Sequence, residues 1–585
     1  MSMMNRRDLL RALAVATAAG PAAYATPLTL YRGPVQFKHG VASGDPGPHD
    51  VVLWTRVTPQ GDAKHGDVAV DLEIALDPAF REGNRLLPGL RAVASRDYTL
   101  KHVLRNLQQG TDYYYRFHSQ GSTSPTGRIR TLPQGEVDSL RFAVASCALW
   151  SSGYFHAYDA IANMEGLDAV FHLGDYIYEY GSAAGDYGMR IGNRIGRMPE
   201  PAHRLQSLAD YRQRHAQYKS DQQLQRAHAC APWITVWDDH ELANNSWHSG
   251  DEATEEEDSA PWNAKKIAAL RAYYEWMPIR EPLANDRQSA ACRSFRFGDL
   301  LELFMVESRL TGRDRALDYK QDLQWDGDQP DTASFQALLE NPAREMLGAW
   351  QTDWLRQSLS QSVAAGVNWQ VLGNQVLMAR VAAPSVRSAM PARLWEELLG
   401  RLSGPQRERV LRNELLSAHD IPSNLDSWDG YPAARSRVYD AIREANARVV
   451  ALAGDTHMFW ANELWDDQGR QRVAVELATT SLTSPSYGDY LPEAPIGTAM
   501  AARSREVIYN DPKSKGYLDI TFDRNHVTAS FISMSSVTEK DYTASTTAQF
   551  TARRDDGKGQ VGGVVATAAT GPDRGAVARG PASMT

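Results

Sequence analysis

Ala169-Val170-Phe171-His172-Leu173-Gly174-Asp175-Tyr176-Ile177-Tyr178 is the stretch that decides how this chain folds. An apolar run of strand length gives way to Gly-Asp and then to a phenol. Three other stretches share the pattern. Phe142-Ala143-Val144-Ala145-Ser146 runs into Cys147, and Ile234-Thr235-Val236-Trp237 runs into Asp238-Asp239-His240-Glu241. Val449-Val450-Ala451-Leu452-Ala453-Gly454 runs into Asp455-Thr456-His457. A strand carries its polar ending to one edge of a sheet, and loops at the carboxyl ends of several strands can share a crevice. Carboxylates that follow buried runs are costly unless paired, and a metal ion pairs them. The four endings together predict one shared metal site.

Working outward, strands are expected at 141–146, 168–173, 233–238, 301–306, 368–373 and 448–453. Helices are expected at 205–225, 263–275, 348–361, 403–416 and 434–445. Their alternation predicts a layered α/β core over residues 140–553. Ahead of it, residues 31–131 read as a small all-β domain. Val68–Leu76 places Asp71 and Glu73 on one face and Val70, Leu72 and Ile74 on the other, which suits a sandwich. Residues 181–200 read as a long loop, and the acidic run 251–258 as a solvated one. Residues 554–585 read as a low-complexity tail with no packed core beyond about 555.

At the amino end, Arg6-Arg7 precedes a short apolar run from Leu9 to Ala19, and Ala23-Tyr24-Ala25 supplies small residues for cleavage. The run is too short to span a bilayer, which needs about 20 residues. Residues 1–25 therefore predict a twin-arginine signal, recognition by the twin-arginine export machinery and a periplasmic or extracellular location. No later apolar run predicts a transmembrane anchor.

The chain has 585 residues, with 62 Lys+Arg against 71 Asp+Glu, a net charge of −9. That balance argues against a bulk nucleic-acid scaffold, and no specific nucleic-acid partner is indicated. The 3 cysteines, Cys147, Cys230 and Cys292, form at most one bridge and no disulfide framework. A monomer is the expected state. Thiolate and imidazole suit zinc or transition metals, a phenolate suits a strongly Lewis-acidic ion, and carboxylate suits calcium, magnesium or manganese. One softer and one hard-oxygen position are expected, with Asp175 as the bridge. Two ions about 3.5–4 Å apart can hold an attacking hydroxide and polarise the target oxygens, which suggests hydrolysis. His240 can then stabilise charge or protonate a leaving group. No glycine-rich phosphate loop ending in Lys-Ser/Thr is evident.

These residues carry a resemblance. The chain resembles PhoD-type alkaline phosphatases, a branch of the metallophosphoesterase superfamily that includes enzymes described as phosphodiesterases or phospholipases D. The motifs are His39–Pro46, Val52–Arg56, Ala145-Ser146-Cys147, His172–Glu179, Trp237–Glu241, Trp428–Pro432 and Gly454–His457. The resemblance implies a four-layer αββα catalytic domain behind an N-terminal β-sandwich. It implies ferric iron (Fe3+) held by Cys147, Asp175, Tyr178 and His457. It implies calcium (Ca2+) held by Asp175, Asp239 and Asp455, with Asn244 or Asn245 completing that side. Substrates would be phosphomonoesters or phosphodiesters, phospholipid headgroups among them, and phosphate would be a product.

Val306-Glu307-Ser308-Arg309 replaces a more familiar Asp-x-Arg. Arg309 is a candidate to face phosphate or, equally, to form a structural salt bridge, and Asn374 or Gln375 to orient metal or substrate. Residues 380–425 read as an insertion or lid. Two other readings are a phospholipase D-like phosphodiesterase and a secreted, metal-stabilised binding protein without turnover.

Overall fold

The computed structural model describes residues 30–60, 66–254, 256–282, 292–327, 329–419, 421–555 and 560–567. The expected signal (1–25) and the end of the expected tail (568–585) lie outside the described residues. No helix among the described residues is long and apolar enough to cross a membrane.

Two large sheets face each other. One has ten strands, the other seven. Strand Ser139–Ala145 shows why they pack. Phe142 and Val144 point toward the other sheet, into an apolar interior with Phe171, Leu303, Val371, Val450 and Phe531. Its alternate residues, Ala143 and Ala145, point the opposite way, under helices that bring Tyr158, Tyr211 and Leu270. On the far side, Leu355 and Leu359 of helix Ala349–Ala364 and Val438 and Ile442 of helix Pro432–Ala445 cover Leu372, Val449 and Ala451. Period-two alternation with both faces buried gives the αββα layering the sequence predicts.

In the first sheet, Ser139–Ala145, Ala169–His172 and Trp233–Thr235 run parallel. In the second, Leu301–Met305, Trp369–Gly373 and Val449–Ala453 do the same. Parallel strands put their carboxyl ends at one edge, which is where the polar endings lie.

The N-terminal region is all β, and its sandwich is shared. Strands Asp67–Ala75 and Asp112–Ser119 belong to a six-stranded sheet, whereas Val41–Gly44, Asp50–Arg56 and Thr99–Arg105 continue the ten-stranded one. The join is Gly44 beside Trp233. A side chain at Gly44 would meet the Pro278 and Trp233 carbonyls at 2.2 and 2.6 Å, so only glycine fits there.

Several elements differ from expectation. The 205–225 helix is two helices, Leu208–Lys219 and Gln222–Cys230, because the Asp221 carboxylate caps the second through the amides of Gln223 and Leu224. Residues 181–200 contain a short helix, Met189–Ile195. The 233–238 strand leaves its ladder after Thr235. In the acidic run Asp251 is buried and pairs with Lys265 at 3.0 Å, so that stretch is not wholly solvated. Part of the expected tail is ordered: Gln560–Ala566 pairs with Ala544–Asp555, and Val561 and Val564 enter the inter-sheet core. Backbone hydrogen bonds build an edge strand without large side chains, which is why a Gly-rich composition concealed it.

Candidate metal centre

The polar endings converge. Ligand atoms of Cys147, Asp175 and His457 lie within 4.8 Å of one another, as do those of Asp238, Asp239 and Asp455. A third such group, Asp175, Asp239 and His240, links the two. Two glycines permit the approach. A side chain at Gly174 would strike Asp238 Cβ at 2.4 Å, and one at Gly454 would strike Ser146 Oγ at 2.4 Å. Cys147, Asp175, Asp455 and His457 all take left-handed backbone angles, with φ of 62°, 55°, 61° and 59°. Such conformations cost a non-glycine residue about 1 kcal/mol or more and persist where the surroundings impose them.

On the thiol side, the Tyr178 hydroxyl lies 3.0 Å from Asp175 Oδ2 and 3.4 Å from His457 Nε2, and accepts from Ser484 Oγ at 2.7 Å. His457 Nδ1 lies 2.7 Å from the Pro485 carbonyl. With the Nδ1 proton donated there, the Nε2 lone pair is left for a metal. Burial, foremost, and the positive charge of Lys515 lower the pKa of His457 to about 3, which keeps it a neutral ligand. Burial and the Asp175 carboxylate push the Cys147 thiol well above its ordinary range, so a thiolate there calls for a cation.

On the carboxylate side, Asp238 Oδ2 and Asp239 Oδ1 are buried without a hydrogen-bond partner. Burial, then repulsion from Asp239 and neighbouring acids, raises the carboxyls of Asp175, Asp238 and Asp455. Orphaned carboxylate oxygens around one point fit divalent or trivalent ions.

His240 is buried beside this point. Its Nδ1 lies 2.8 Å from Glu179 Oε2, and its ring packs 4.2 Å from that of Tyr178. Burial alone would lower its pKa, but Asp239, Asp175 and Glu179 outweigh burial and raise it well above the ordinary value.

Arg309 takes the salt-bridge alternative. It is fully buried, with no exposed face for phosphate. Its Nε pairs with Asp238, its Nη1 with Asp426 at 2.7 Å, and its Nη2 with Asp455 at 3.4 Å. A cluster this acidic needs an internal cation, and Arg309 positions its carboxylates. Glu307 holds that loop by accepting from the backbone amides of Arg309, Leu310 and Thr311 and from Trp237 Nε1. Asn374 and Gln375 are likewise engaged in supporting the loops. Trp428 Nε1 donates to Asn374 Oδ1 at 3.3 Å, and Gln375 bonds Val306 O and Ser308. Asn244 donates its amide nitrogen to Glu252 at 2.5 Å, and the backbone amide of Asn245 reaches Asp239 Oδ2 at 2.6 Å.

Sequence reasoning passed over Asp238 as a ligand, Glu179 and Glu241 as supports, and Asp426 and Ser484. Glu241 accepts from the backbone amides of Asp175, Tyr176 and Asp238 and so ties two ligand loops together. Glu179 and Glu241 had a signal, since both close motifs already singled out. Asp426 and Ser484 had none.

A two-sheet αββα core with thiol, phenol, imidazole and carboxylates at one strand edge defines a metal-dependent phosphoesterase. The family model for PhoD-like phosphatases matches residues 142–531, and that for the N-terminal domain of PhoD-like phosphatases matches residues 22–133. Alkaline phosphatase D of Bacillus subtilis (strain 168) is 34% identical over 531 residues, which is 89% of this chain and 81% of that protein. A solved structure of PhoD superposes with a TM-score of 0.72 at 30% identity, covering 94% of each chain. The chain belongs to the PhoD-like phosphatase family, and it is a metal-dependent phosphoric ester hydrolase.

Proposed function

We propose that this chain hydrolyses phosphate esters at a paired ferric iron and calcium centre. Cys147, Asp175, Tyr178 and His457 hold the iron. Asp175, Asp239 and Asp455 hold the calcium, with Asn244 contributing its carbonyl oxygen. The observation that carries this reading is the place of Asp175, which shares one group of candidate ligands with the Cys147 thiol and His457 imidazole and another with Asp239 and His240, while Asp239 in turn joins the all-carboxylate group with Asp238 and Asp455. Softer donors on one side and oxygens on the other suit two different ions. Bound there, the ions supply Lewis acidity toward phosphoryl oxygens and an activated water.

The chain's own groups do the rest. Glu179 orients His240 by accepting from Nδ1, and a second proton, taken up on Nε2, is the one offered to the leaving oxygen. Arg309 keeps Asp238 and Asp455 in place and offsets part of their charge. Arg6-Arg7 and the apolar run after them support export by the twin-arginine machinery to the periplasm or beyond. Membership of a phosphatase family disfavours the reading of a binding protein without turnover.

The test is metal analysis of the purified protein beside hydrolysis of p-nitrophenyl phosphate, bis(p-nitrophenyl) phosphate and phosphatidylcholine. Iron and calcium with turnover of at least one chromogenic ester are expected. Release of a phospholipid headgroup in preference to both would assign the phospholipase D-like alternative. Metal-replete protein that turns over none of the three refutes the proposal.

A further inference from the structure

Asp455 and His457 face two ways. They belong to the metal-ligand groups, and they also line a cavity of about 480 Å³. Away from them the larger part of the wall is apolar, from Leu377, Val381, Leu402, Met458, Trp460 and Met500, and Asn413, Asn424 and Ser427 add a smaller polar part. Tyr487 and Tyr490, 47% and 51% exposed, stand at its rim. Among the described residues that line it there is no lysine or arginine. Residues 380–425, expected as an insertion or lid, supply Val381, Leu402 and Val410 to this wall.

Three properties select the occupant. A wall without basic residues does not hold phosphate itself. The volume falls in the range that encloses most of a small organic group. Continuity with Asp455 and His457 means that a phosphoryl group on the metals would project its ester arm into this space. We infer that the cavity is the subsite for the organic arm of the ester, and that it selects uncharged apolar alcohols, alkyl or aryl, over sugar-like ones. This rests on the reading of the metal centre given above and adds the class of substrate.

Binding tests it without turnover. Isothermal titration of the metal-loaded protein with methyl-, ethyl-, butyl- and octylphosphonate presents one anionic head with arms of increasing length. Each methylene that enters the cavity should tighten binding about fourfold, so butylphosphonate should bind about sixtyfold more tightly than methylphosphonate. Leu402→Asp should abolish that gain. Val410→Asp, on helix Gly404–Ser417, is the second variant should the first fail to fold, with thermal denaturation as the check.

A second arm compares kcat/KM for dihexanoyl phosphatidic acid with that for glycerol 3-phosphate. A large ratio is expected and extends the subsite to glycerolipids, and a ratio near one overturns the selection against sugar-like arms. Affinities that do not rise with chain length, or no binding of the octyl compound, overturn the inference. Hydrolysis of p-nitrophenyl phosphate alongside such a flat series would leave the metal-centre reading intact.

Discussion

At the carboxyl edge of the sheets, Asp238 Oδ2 and Asp239 Oδ1 are buried without a hydrogen-bond partner; beside helix Leu208–Lys219, so are ring nitrogens of His39, His172, His215 and His228. Both regions therefore bury polar atoms at a cost. In the second, Lys219 Nζ lies 3.0 Å from His228 Nε2 and over the rings of Trp54 and Tyr176, at 4.5 and 5.3 Å. Burial, with Lys219 charge as a lesser cause, lowers His172 and His215 to a pKa of about 3. Burial also lowers Lys219 well below its ordinary value. These groups settle the cost by giving up charge, and stacked aromatic rings fill the space around them. Burial pushes the carboxyls of Asp175, Asp238 and Asp455 the same way, but there Arg309 and His240 pull against it and favour the charged form. Unsatisfied atoms do not make a site by themselves. They make one when they share a sign of charge and surround a common point.

The sharpest way to break that comparison is Asp175→Asn, which removes the carboxylate common to two ligand groups. It should release most of the bound metal and lower kcat at least about a thousandfold, because metal stabilisation of the transition state amounts to several kcal/mol. Metal analysis beside p-nitrophenyl phosphate hydrolysis decides it, and a variant that keeps full metal content and rate overturns the bridge. Next comes His240→Ala, expected to lower kcat about a hundredfold or more while most metal stays bound. Parallel loss of metal and rate would make His240 a support of the ion and not an acid.

The smallest effect on turnover belongs to Lys219→Met, expected to leave kcat within about twofold and to raise stability by about 1–3 kcal/mol. The sign follows from linkage. The folded pKa lies below the unfolded one, so as pH falls below about 10.5 the unfolded chain takes up a proton that the folded chain refuses, and lysine costs stability. Methionine carries no such proton. The gap between variant and parent in urea midpoints should widen from pH 8.5 to pH 6.5, and a constant gap would show that the buried lysine is charged.

Much of the catalytic edge was legible because its ligands end apolar strands, a signal written in consecutive residues. Cys147, Asp175, Tyr178, Asp239, Asp455 and His457 all follow such runs, and the fold brings their segments together. Arg309 stayed open between phosphate and a salt bridge because a guanidinium after a strand looks alike whether it meets substrate or carboxylates. Which it meets depends on Asp238, Asp426 and Asp455, drawn from three other segments. Asp426 follows no strand and Ser484 sits in a loop, so neither carried a local pattern. The break at Asp221 was readable as a cap, but continuous helical periodicity on both sides masked it.

The Gly44–Trp233 join has a consequence for how the chain can be taken apart. Two family models divide it near residue 133, yet the backbone ladder runs across that division. Severing the leading portion would strip one flank of Trp233–Thr235, the short strand from which Asp238 and Asp239 project. A raw edge of that kind invites aggregation and loosens whatever hangs from its end. What looks in sequence like a detachable preface flanks a strand of the catalytic half, so the two halves should unfold together in a single urea transition.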